Sequence, residues 1–193
     1  MAKLGLKGFS NFGFIPVVTN SASAYSATGE VERLVGAQSC SVEDQRTDFT
    51  INGDDGIYDS GSEWTNSTLT VTVAEMTLEQ LAALTGATIN EESDEMEECT
   101  LDAAPDVALT FSALRRDGGY RLYRYYIAKL TKYKVTHNTK GQNSGENQNY
   151  ELTFLCSPRL VDSKIRATKE VAKGDALSWL DTIPDEPVVE PGA

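Results

Sequence analysis

Histidine occurs once, at position 137, and cysteine three times, at 40, 99 and 156, so the residue types behind most metal centres and nucleophilic sites are nearly missing. A Ser-His-Asp or Cys-His arrangement would have to use His137, and no nucleophile-elbow pattern accompanies it. Beside Asn138 and Lys140, His137 reads as an exposed loop histidine. Zinc needs clustered Cys and His, which the spacing does not offer. Neither GxxxxGK[ST] nor a strand-linked GxGxxG is present to cradle phosphate. No apolar run approaches the ~18 residues that span a bilayer, and the opening Met1 to Phe9 has no apolar core of a secretory signal. The cysteines form no CxxC pair and are expected to be reduced apolar fillers, which makes the Asn66-Ser67-Thr68 sequon accidental. Positive charge is also scarce: 17 Lys and Arg stand against 29 Asp and Glu, a net charge of −12. Such a surface repels a polyanion overall, which argues against tight phosphate binding but not against letting DNA slide past.

What is present is a β pattern in a chain of 193 residues, long enough for one core. Phe12 to Val18 and Val31 to Ala37 read as strand, loop, strand, and residues 40–51 alternate loosely. Asn52-Gly-Asp-Asp-Gly-Ile-Tyr-Asp-Ser-Gly61 is dense in turn formers and predicts a long hairpin loop. In the return strand, Leu69, Val71 and Val73 face one way and Thr68, Thr70 and Thr72 the other. Residues 77–85 predict the one helix. Thr77 and Gln80 make a capping box, Met76 and Leu81 a staple, Leu78, Leu81 and Ala82 a stripe, and Gly86 the stop. Val107, Leu109, Phe111 and Ala113 then alternate. Asp117-Gly118 predicts a type I′ turn, and Tyr120 to Val135 returns as a strand long enough to need a bend, a bulge or a projection. Tyr150, Leu152, Phe154 and Cys156 share a face of the next strand, and residues 163–171 are expected to add a last one. The expected fold is a mainly antiparallel β-sandwich or barrel with one short flanking α-helix. It forms a single domain over 1–180, with an N-terminal arm at 1–10 and a Pro-rich acidic C-terminal arm at 181–193.

Charge is segregated along the chain. Acids gather in 43–63, 90–106 and 181–190, and bases in 115–140 and 159–173, which reads either as two solvated faces or, more sharply, as unlike surfaces meeting between subunits. Asp54, Asp55 and Asp59, or Glu91 to Glu98, could offer oxygens to Ca²⁺, but the spacing is not that of an EF-hand, and solvated acidic turns are the simpler reading, so no metal is expected. On the long strand, Tyr123 and Tyr125 lie on one face and Tyr120, Leu122 and Tyr126 on the other. Apolar groups on both faces imply two covers, one from the core and one from another subunit. A base-stacking platform is the rival, weakened by the acidic total.

The order of these pieces resembles the major tail proteins that form the tail tubes of siphophages, the family common in phages of Gram-positive bacteria. The matching pieces are Gly5-Leu-Lys-Gly8, Val35-Gly-Ala37, Asp54-Asp55-Gly56, the strand into Leu78 to Leu84, and above all Val107 to Tyr126. The resemblance implies a non-enzymatic virion subunit with no cofactor, assembled in a host cytoplasm as stacked hexameric rings. A tape-measure protein would fill the lumen first, tail terminator and distal tail proteins would meet the tube's ends, and DNA would pass in ejection. On that basis Asp54, Asp55, Ile57, Tyr58 and Asp59 are candidates for stacking between rings. Arg121, Tyr123, Arg124, Tyr125 and Trp64 are candidates for the subunit interface. A monomeric β-sandwich binding module on a virion or cell surface is the alternative.

Overall fold

The computed structural model describes residues 5–90, 92–137 and 149–185. They form a mainly antiparallel β protein with one α-helix among the described residues. Strand β1 (Leu6–Asn20) is followed by β2 (Tyr25–Ala27) and β3 (Glu32–Arg33), which together make its interrupted return strand. Then come β4 (Ala37–Gly53), β5 (Gly56–Val73), helix α1 (Leu78–Thr85), and the small hairpin of β6 (Thr88–Asn90) and β7 (Glu95–Glu97). Strands β8 (Asp106–Arg115), β9 (Tyr120–Val135), β10 (Tyr150–Ser157) and β11 (Arg166–Val171) complete the sheet. Its order is β2-β1-β8-β9-β10-β5-β4, with β3 on β1 and β11 on β9.

This single sheet curls around its main buried cluster, with two smaller clusters on its other face. Phe12 and Phe14 from β1, Leu69 and Val71 from β5, Leu109 from β8 and Phe154 from β10 fall in one buried cluster. The chain crosses from one end of the sheet to the other through residues 34–36. Leu34 N–H donates to Phe12 O at 3.0 Å and Ala74 N–H to Gly36 O at 2.9 Å. Alternation in β5 and β10 is what the curl requires: Leu69, Val71, Val73, Leu152, Phe154 and Cys156 are all fully buried while their neighbours are not.

Helix α1 starts at Thr77, whose hydroxyl accepts from Gln80 N–H at 3.2 Å while Gln80 Oε1 accepts from Thr77 N–H at 3.1 Å. It stops at Gly86, at φ +82°, where an added Cβ would lie 2.4 Å from Ala103 O, so only glycine fits. Leu81 and Leu84 enter the main core, but Leu78 stays exposed, because the first turn extends beyond what the core covers.

Other expectations change in the structure. Residues 6–10, expected in an arm, pair with β8, Leu6 opposite Arg115 and Phe9 opposite Ala113. The segment 52–61 is not a loop. Only Asp54 and Asp55 lie outside the ladder, whose last pair is Gly53 with Gly56. The turn after β8 is not type I′, since Asp117 keeps a negative φ and Gly118 alone is left-handed at +89°. Gly118 N–H donates to Arg115 O and Arg115 N–H to Gly119 O, a three-residue loop closed by a glycine bulge. Asp117 Oδ1 accepts from Gly119 N–H at 3.1 Å and favours that geometry. Strand β9 accommodates its length with two bulges, one against β8 and one against β10.

Candidate subunit-contact surfaces

The second cover over β9 is the chain itself. Leu122 packs with Val171 and Leu180, and Tyr126 with Tyr25 and Ile183. Residues 178–183 are pinned there by Arg124, which is only 3% exposed. Its Nη2 donates to Trp179 O at 2.5 Å and to Thr182 O, and its guanidinium lies 3.9 Å from the centre of the Trp179 ring. The body therefore does not end at residue 180: Ile183 is buried, and Asp181 pairs with Arg33 at 2.6 Å. Residues 186–193 of the expected arm lie outside the described residues.

This corrects two members of the expected interface set. Arg124 and Tyr125, 3% and 1% exposed, have no surface left to offer another subunit. Arg121 is half-buried and paired with Glu170 at 2.5 Å, and Tyr123 stacks on Phe111 at 4.8 Å. The aromatics of β9 form no open platform of the kind a carbohydrate or base would need.

Nor are the acidic and basic segments kept for separate subunits. Lys129 meets Asp106 and Arg166 meets Asp44 within the same chain, and Arg115 and Arg121 are matched by Glu170 from the second basic segment. Among the described residues no group of three or more His, Cys, Asp and Glu is placed to hold a metal ion, and His137 is exposed just past the end of β9.

What sequence reasoning missed is the length and nakedness of the β4–β5 hairpin. Strand β10 pairs with β5 only over Ser67–Val73, so beyond that the two strands have only each other. All of 41–60 is exposed, and β4 has no second neighbour along its outer edge among the described residues. From the root at Asp44 and Ser67 to the turn is about ten residues per arm, roughly 30 Å at strand rise.

The root is braced. Trp64 Nε1 donates to Ser67 Oγ at 3.1 Å, Ser67 donates to Asp44 Oδ1 at 2.5 Å, and Arg166 from β11 reaches both Asp44 oxygens and the Tyr125 hydroxyl. The Ser67 hydroxyl, with Arg166, holds the Asp44 carboxyl below the usual carboxylate range. Trp64 is thus fixed, half-buried, at the base of the hairpin.

The tip is apolar and acidic together. Phe49 lies across Gly61, where an added Cβ would meet the ring at 2.7 Å. Ile51, Ile57 and Tyr58 are 50%, 70% and 82% exposed. Asp54, Asp55 and Asp59 share this tip, so the five expected stacking residues do sit together.

At the hairpin's root lies a groove of about 660 Å³. Phe9, Val42, Phe111, Tyr123 and Cys40 line its apolar part, and Leu6, Arg121, Arg166, Asp44 and Glu170 also border it. Burial pushes the Cys40 thiol up to about 12, so it carries no thiolate for chemistry at neutral pH.

No protein-family model matches the chain, and no curated protein does. Among solved structures it is similar to a chain of the sheath-tube complex of an extracellular contractile injection system, PVC, in the extended state. That match has 10% identity over 83% of this chain and 89% of the other, with a TM-score of 0.46. The anti-feeding prophage cap, an AFP tube terminating cap, gives 10% identity, coverage of 83% and 89%, and a TM-score of 0.45. Hcp1 from Flavobacterium johnsoniae gives 9% identity, coverage of 85% and 100%, and a TM-score of 0.38. Likeness at this level decides nothing about this chain's function.

Proposed function

We propose that this protein is the non-enzymatic structural subunit of a phage tail tube, stacking as hexameric rings around a lumen that conducts DNA during ejection. One observation carries the reading: a two-stranded ladder projects roughly 30 Å from the body with an apolar tip and an unpaired edge. An isolated two-stranded ladder is marginal in water, and a long exposed edge invites pairing with another strand. Both problems are solved when copies of the chain assemble. The order of sequence elements resembling siphophage major tail proteins supports the same reading.

In this arrangement the 52–61 tip bridges adjacent rings, while the β4 edge pairs with a strand of the neighbouring subunit by β-augmentation. Acidic side chains toward the lumen repel phosphate, so DNA passes without binding tightly. A tape-measure protein occupies the lumen before DNA does, and terminator and distal tail proteins meet the tube's ends. The particle is a virion component assembled in the host cytoplasm.

The test is imaging. Purified protein should form tubes or stacked rings in negative stain. A variant lacking 47–63, with Arg46 and Trp64 joined through Asn-Gly, should remain a folded monomer by circular dichroism and sedimentation. Normal tubes from that variant would remove the hairpin from the assembly.

A further inference from the structure

The two ends of the sheet are unlike. At one end β4 presents an edge of 17 residues with no second neighbour among the described residues. At the other, β2 and β3 have three and two residues and do not meet. Ala27 stands opposite Val17 and Glu32 opposite Phe14, so residues 28–31 span only Ile15 and Pro16 and bulge from the edge. Pro16 brings no N–H to the ladder there.

The broken edge is also covered. Beyond Leu180 the chain crosses the outer face of the sheet toward it. Ile183 falls in one buried cluster with Ala108 of β8, Ile15 of β1, and Tyr25 and Ala27 of β2, and Val31 packs against that cluster. Asp181 holds Arg33 of β3 at 2.6 Å, and Arg33 also donates to Asn11 O and Thr110 Oγ1. Asp181 and Thr182 share a cleft with Gly29, Glu30 and Val31. Breaking an edge with a bulge and covering it with a loop both prevent strand pairing.

The cover is lightly held. Its backbone bonds are local, Leu180 N–H to Leu177 O at 2.9 Å and Asp181 N–H to Ser178 O at 3.1 Å. Of residues 181–185 only Ile183 is buried. One apolar side chain, one solvent-facing ion pair and the Thr182 carbonyl on Arg124 can let go while every strand stays paired.

We infer that residues 181–183 are an autoinhibitory guard on the β2–β3 edge, which lifts to let that edge take the β4 strand of a second copy. This rests on the tube reading and adds its regulation. Sheet pairing between copies needs two edges, and of the two sheet ends only β4 stands uncovered. With the guard down, the apparent affinity of one copy for the next is reduced to the fraction of chains in which it is up.

Loosening the guard tests this. Asp181→Lys with Ile183→Ser removes both side-chain anchors and leaves the main core untouched, and Asp181→Asn alone is the milder change should the first variant not fold. The double variant should form rings or tubes in negative stain at a concentration roughly tenfold or more below that of wild type, and the single variant should shift the same way by less. Wild-type tubes with folded variants that assemble no more readily, or that give only amorphous precipitate, overturn the guard and leave the tube reading intact. Neither rings nor tubes from any of the proteins overturns both. Hydrogen exchange on wild type gives an independent check. Going from free subunits to tubes, residues 25–33 should gain protection and the amides of Leu180 and Asp181 should lose it. A guard equally protected in both states overturns the inference.

Discussion

Arg124 and Asp44 show how much a single side chain decides here. Arg124 is the buried cation that ties residues 178–183 onto β9, with two carbonyls and an indole as its partners. Arg124→Ala leaves both carbonyls without their donor and is expected to cost about 2–4 kcal/mol. Urea unfolding should measure that loss, and hydrogen exchange should rise first in 178–183. Asp44 acts at the hairpin root, with its pKa depressed by the Ser67 hydroxyl and Arg166. A depressed folded pKa contributes stability that is present above the unfolded carboxylate value, about 4, and lost as pH falls through the lower folded value. The stability curve of Asp44→Asn should therefore be flatter than that of wild type below about pH 4 in urea titrations. Neither residue was marked for these roles by its neighbours in sequence. An arginine amid tyrosines on a β strand looks like a surface group, and only the docked C-terminal segment makes it an interior one.

At the level of elements, the helix and the hairpin are opposite cases. Every signal for α1 is local: the Thr77–Gln80 box and the αL glycine each act over three or four residues, so the sequence alone places it. Thr77→Ala should lower stability by about 1 kcal/mol, read as a shift in urea midpoint with the slope unchanged. The β4–β5 hairpin has no such signature. Its Gly- and Asp-rich centre resembles a loop, yet Phe49 across Gly61 and Thr47 against Thr65 at 3.1 Å keep the ladder running to the last pair. The misread turn at Asp117 has a similar cause. Asp-Gly fits two turn types, and the carboxylate's bond to Gly119 selects the one with a bulge.

For the whole molecule, net charge and exposed shape set behaviour with partners. A surface of −12 should retain no duplex DNA, so mobility shifts should be absent even at ~50 mM salt, where phosphate contacts are strongest. A band shift at that salt would contradict the idea of a lumen through which DNA slides. Many of the bases that looked available for a neighbour are matched within the chain, and exposed pairs of this kind add only about 0–1 kcal/mol each. The charge left for assembly is the uncompensated acid of the hairpin from Asp48 to Glu63.

The alternating apolar residues of β5, β8 and β10 and the caps of α1 were determined by the sequence, because periodicity and capping are contacts between residues close along the chain. The choice of what covers each face was not. Whether Arg124 meets another subunit or the chain's own C-terminal segment depends on residues more than fifty positions apart coming together. Only the curled sheet decides that, along with the groove that forms where its strand ends meet the hairpin root.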